Sequence, residues 1–221
     1  MGEYTFGFDL SKWVKKILHL LALILMLIGI YLLITTPESK RLFACHTRDV
    51  SQYWTAYTGP WLHGSIEHLT SNSISILGLG MLFLVYFSVS SFWKFFLIQF
   101  IVSSNILFFL GDEGEHHIGA STWLYSLAAY LLTISLLSRN RRIKSMALII
   151  VLWYGTMWWG LLPVLPNVSN EGHIAGLITG ILLAIWKIPK WKEELSREKA
   201  WMEPVQQKIE KTPNPYDSVG D

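Results

Sequence analysis

Six stretches of this chain are as long as a bilayer is thick and nearly free of charge, which excludes most soluble folds at once. Ile17 to Pro37, Leu69 to Trp93, Phe95 to Gly111, Ile118 to Ser138 and Ser145 to Asn170 contain no Asp, Glu, Lys or Arg. Gly172 to Pro189 is apolar apart from His173 at its start and Lys187 near its end. A helix needs about 20 apolar residues to cross the hydrocarbon core, because every backbone amide there must be satisfied within its own segment. A lysine at the end of such a helix reaches the interface with its ammonium group. Only 15% of the residues are charged and 52% are hydrophobic, so the charges are confined to the segments between the runs. The polar stretch Ser88 to Lys94 reads as a break between the second and third runs. The expectation is an all-α membrane protein of six transmembrane helices.

Charge placement then orients the bundle. If both termini lie on one side, that side holds Lys12, Lys15, Lys16, Lys94 and the basic segment Arg139, Arg141, Arg142 and Lys144. The opposite side holds Glu38, Asp49, Glu67, Asp112, Glu113, Glu115 and Glu171. Basic loops stay in the cytoplasm, so residues 1–16 are expected to be a cytoplasmic N-terminus and 17–189 the membrane domain. Residues 190–221 read as a polar cytoplasmic tail, partly disordered, in a bacterial-type plasma (inner) membrane protein. The first run is too long for the apolar core of a signal peptide and is read as a retained helix. The formal charge of +2 is spread over loops and forms no patch for nucleic acid. Cys45 is the single cysteine, which excludes an intramolecular disulfide or a multi-cysteine metal site.

Ionisable and polar residues at the edge of a span are costly, so clusters of them point to function. One cluster, His63 to Asn72, enters the second run; Gly119, Ala120, Ser121 and Thr122 enter the fourth; Glu171 to Gly176 enter the sixth. Even-numbered helices run in the same direction, so all three clusters lie at one membrane face, at helix N-termini whose free amides favour negative charge on oxygen. Ser121 and Tyr125 are four apart and share a helical face, as do His68 and Asn72. His173, Gly176 and Gly180 lie on one face of the sixth helix, where small residues admit a close neighbour. Taken singly, the serine reads as an N-cap, the histidine as an interfacial residue and the glycines as helix packing. The Asp112-Glu113-Gly114-Glu115-His116-His117 loop reads as a solvated outer loop, with a metal site as its alternative. The His-Glu-x-x-His motif of zinc proteases is absent. Trp158, Trp159 and Gly160 with Pro163 and Pro166 read either as an interfacial aromatic belt or as a gate for an entering helix.

Between about His63 and Gly180 the sequence resembles the rhomboid intramembrane serine proteases. The pattern is carried by His63, His68 and Asn72, by Gly119, Ala120, Ser121 and Thr122 with Tyr125 four residues on, and by Gly172, His173, Gly176 and Gly180. The resemblance implies a six-helix rhomboid-type bundle that cleaves transmembrane segments of other membrane proteins through a Ser-His dyad, with no cofactor and no metal. It implies Ser121 as nucleophile, His173 as base, and an oxyanion hole of His68, Asn72 and the Ser121 backbone N–H. Tyr125 would stack on His173, and His63 would be structural. Two positions depart from the family pattern: Thr122 stands where a glycine follows the nucleophile, and Trp54-Thr55 stands where the first loop often has Trp-Arg. The alternatives are a catalytically inactive rhomboid-like protein that binds membrane clients, and a carrier that uses its histidines for a ligand.

Overall fold

The computed structural model describes residues 10–138, 141–162 and 169–187. They form seven α-helices: α1 Leu10–Leu33, α2 Pro37–Phe43, α3 Ile66–Tyr86, α4 Val89–Leu110, α5 Ser121–Leu137, α6 Arg141–Tyr154 and α7 over 170–187. The expected all-α membrane bundle is present. The count of six is not exact: α2 adds a short helix after α1, and among the described residues only α1, α3 and α4 are both long and apolar enough by themselves to cross a bilayer. Helix α5 has 17 residues. Helix α6 has 14 and continues as a 3-10 turn over Gly155–Leu161.

Local chemistry sets the helix ends. Ser65 caps α3, its Oγ accepting the His68 N–H at 3.2 Å, and Ser88 caps α4 by accepting the Ser91 N–H at 3.1 Å. The stretch Ser88 to Lys94 is therefore not a break. Only Phe87 and Ser88 separate α3 from α4, because a serine that can cap starts the next helix at once and leaves Lys94 one turn inside it. Likewise α1 already begins at Leu10, inside the segment expected to precede the membrane. The expectations for residues 1–9, Arg139, Asn140, the Trp158 side chain, Pro163, Pro166 and the tail after Lys187 lie outside the described residues.

Helix α5 is the hub. Eleven of its residues, from Thr122 to Ser135, are buried, and it packs against α3, α4 and α6. Helix α1 lies at the periphery, packing Leu20 against Gly80 of α3 while Leu18, Leu25, Leu32 and Leu33 stay exposed. That outward apolar surface is what a lipid-facing helix needs.

The segment between α2 and α3 is packed. Cys45, Thr47, Thr55, Ala56 and His63 are all buried. Thr55 Oγ1 accepts the His46 N–H at 3.0 Å and donates to the Gln52 carbonyl at 2.7 Å. Tyr53 donates to Asn105 Oδ1 of α4, and Asn105 Nδ2 donates to the Tyr57 hydroxyl at 2.9 Å. Those bonds anchor the segment without the Trp-Arg pair. Two short antiparallel strands add to it, Cys45 pairing with His117 and His46 with His116, an element the helical reading missed. Burial raises the Cys45 thiol pKa to about 12, so maleimide is expected to leave Cys45 unmodified in the folded protein and to modify it after denaturation. Labelling of the native protein would contradict this packing.

Candidate active site

The N-termini of α3, α5 and α7 converge on one open cavity of about 1050 Å³. Gly64, Ser65, His68 and Asn72 line it from α3 and its approach, Ser121 and Tyr125 from α5, and Ser169, Glu171 and His173 from the start of α7. The parity of the three clusters thus corresponds to a shared site. Ser121 is not an N-cap. Ala120 occupies that position without a side-chain capping bond, so the Ser121 side chain belongs to the first helical turn and is available to the cavity.

His173 is held on two sides. Its ring stacks on Tyr125, with centroids 4.0 Å apart and planes 12° from parallel. Its Nδ1 lies 2.7 Å from the Gly160 carbonyl. A carbonyl can only accept, so Nδ1 carries the proton and the neutral ring keeps its lone pair on Nε2. The same carbonyl accepts Asn170 Nδ2–H at 2.9 Å, which ties the 3-10 turn at 155–161 to the start of α7. Among the hydrogen bonds of the described residues none joins Ser121 to His173; such bonds are often long before substrate arrives.

Close approach of α5 and α7 follows from their glycines. A Cβ on Gly176 would meet the Thr122 carbonyl, with Tyr125 Cβ at 3.0 Å, and one on Gly180 would meet Ala129 Cβ at 2.8 Å. Thr122 is accommodated by Gly172: its Oγ1 stands 2.9 Å from where a Gly172 Cβ would be. Bulk added at 122 is thus offset by a missing side chain at 172, which the hydroxyl faces.

His68 and Asn72 meet the start of α5 at Gly119. This glycine has φ +116°, and a Cβ on it would stand 2.7 Å from His68 Nε2 and 3.7 Å from Asn72 Nδ2. Both side chains therefore sit two residues before Ser121. Asn72 Nδ2–H donates to His63 Nε2 at 2.9 Å, which leaves its second N–H for another acceptor. Burial pushes the His63 pKa down to about 4, with the charge of His68 a smaller cause, so His63 stays neutral and keeps the lone pair that Asn72 needs. Its folded pKa is below its unfolded value of 6.5. The unfolded chain therefore binds the proton first, and stability falls as pH drops from about 6.5 towards 4, by up to about 1.4 kcal/mol per unit. Melting curves of wild type and His63→Gln over that range should differ in slope, and identical slopes would exclude His63 as the source.

Gly160 and Asn170 were not singled out as partners of His173 from the sequence. The only signal was a glycine after two tryptophans, and the Gly160 Cβ position, 2.8 Å from His173 Nδ1, explains why no side chain stands there. Trp159 is exposed, as an interfacial belt residue would be.

The three polar clusters thus build one cavity at helix N-termini, with a helical serine and a stacked imidazole on its wall. The model of the Rhomboid domain matches residues 50–190, and the chain belongs to the rhomboid family. It is 30% identical over 139 residues to an uncharacterized protein of Mycobacterium tuberculosis, covering 59% of this chain and 58% of that one. An uncharacterized protein of Mycobacterium leprae is also 30% identical over 139 residues, with 59% and 55% covered. RHOMBOID-like protein 5 of Arabidopsis thaliana is 27% identical over 154 residues, with 66% and 48% covered. The chain thus spans about half to three-fifths of the length of these curated relatives.

Proposed function

We propose that the protein is an intramembrane serine endopeptidase that cleaves the transmembrane segments of other membrane proteins. The observation that carries this reading is the fixed His173 ring: Nδ1 is spent on the Gly160 carbonyl and the face on Tyr125, which leaves Nε2 for the Ser121 hydroxyl on the same cavity wall. In this mechanism Nε2 takes the Ser121 proton while Oγ attacks the substrate carbonyl. The resulting oxyanion accepts hydrogen bonds from the free N–H of Asn72, from His68 and from the Ser121 backbone N–H. His173 then protonates the leaving amine, and water entering the cavity hydrolyses the acyl-enzyme. Both termini face the cytoplasm of a bacterial-type plasma membrane, and the cavity opens to the outer face.

Purified enzyme in liposomes is expected to cut a model transmembrane substrate near its outer end. Asn72→Ala should lower that rate about ten- to a thousandfold, as loss of one oxyanion donor does; an unchanged rate would remove Asn72 from the hole. The second reading, an inactive relative that binds membrane clients, rests on Thr122. It predicts substrate capture without cleavage. A cysteine placed at Asn140 should resist an impermeant maleimide applied to intact cells, and labelling there would reverse the orientation.

A further inference from the structure

Glu115, His117 and Glu171 come from the loop before α5 and the first turn of α7, and one ligating atom of each lies within 4.8 Å of the others. The loop reads in sequence as solvated, yet His117 is only 6% exposed. Its Nδ1 is 2.7 Å from Ser169 Oγ, and that oxygen also accepts the Gly172 N–H at 3.0 Å. With Nδ1–H donating to Ser169, the lone pair is on Nε2. This Nε2 has no hydrogen-bond partner, and Glu115 Oε2 stands 3.4 Å from it. Electron-pair donors that face one another in this way repel unless a cation or a proton sits between them.

We propose that Glu115, His117 and Glu171 bind a divalent cation of the Zn²⁺ type at the rim of the cavity. One imidazole with two carboxylates suits Zn²⁺, whereas Mg²⁺ and Ca²⁺ favour all-oxygen sets. Tetrahedral bonds of about 2.1 Å place donor atoms about 3.4 Å apart, so small side-chain rotations of the carboxylates close the set. Ser169 holds the imidazole tautomer as the outer partner of a metal-bound histidine. Glu171 precedes His173 by two residues, so the ion would tie the loop before α5 to the helix that carries His173.

The test uses the full-length protein in detergent, stripped with a chelator and titrated with ZnCl₂ at pH 7.5 by calorimetry, with melting temperature as a second readout. One Zn²⁺ per chain is expected, with a raised melting temperature and no competition from excess Mg²⁺. Glu115→Gln and Glu171→Gln should each weaken binding at least about tenfold. The Glu115 side chain is 49% exposed, so its substitution leaves the packing intact, and an unchanged circular dichroism spectrum would verify that. Absence of Zn²⁺ binding by the wild type would overturn the proposal. So would binding that survives both substitutions and is lost in His116→Ala, which would place the ion on the adjacent His46–His116 pair.

Discussion

Ser121→Ala and His173→Ala are each expected to abolish cleavage of a model transmembrane substrate while leaving the protein folded. The nucleophile and its base act as a unit, so losing either costs nearly as much as losing both. The double variant should be no slower than the single ones. Ser121 lines the cavity, and although His173→Ala loses the Tyr125 stack, the α5–α7 approach still rests on Gly176 and Gly180. Cleavage by either variant at more than about a hundredth of the wild-type rate would show that the chemistry lies elsewhere.

Gly160→Ala is expected to have the next largest effect, a loss of about a hundredfold in rate. The added Cβ would meet the Tyr125 hydroxyl and stand 2.8 Å from His173 Nδ1 and 3.1 Å from its Cε1. The 3-10 turn or the imidazole must then shift, and a displacement of about 1 Å in a reacting group costs about that factor. The change should appear in kcat more than in KM, because the turn contacts the base. A rate within threefold of wild type would mean that the Gly160 carbonyl does not position the ring. Thr122→Gly gives a contrasting expectation. The hydroxyl already rests against Gly172, so the rate should stay within about tenfold while stability falls by roughly 1 kcal/mol or more through lost packing and added backbone freedom. A large gain in reactivity would instead identify Thr122 as a block.

Much of this was legible in the sequence because membrane burial makes polar residues conspicuous. His63, His68, Asn72, Ser121 and His173 stood out against apolar runs, and the parity of their helices required them to share a face. Their assembly into one cavity depends on backbone approach, and there the glycines at 119, 172, 176 and 180 were readable as well. What could not be read was tertiary pairing through main-chain atoms. The Gly160 carbonyl that orients His173, the Cys45–His46 strand against His116–His117, and the Ser169 contact of His117 leave no periodic or compositional trace. The polar run Ser88 to Lys94 misled for a related reason: serine can cap a helix as well as interrupt one, and only the backbone geometry distinguishes the two. Burial of the segment between α2 and α3 was hidden too, because its anchors are tyrosines and an asparagine pairing across distant segments.

Activation of Ser121 as a nucleophile by His173 can be read out covalently. Purified protein in detergent would be treated with a fluorophosphonate and digested, and the modified peptide identified by mass spectrometry. A single adduct on Ser121 is expected, lost in His173→Ala and retained in Thr122→Gly. An unmodified wild-type protein, or an adduct that persists on Ser121 without His173, would contradict it.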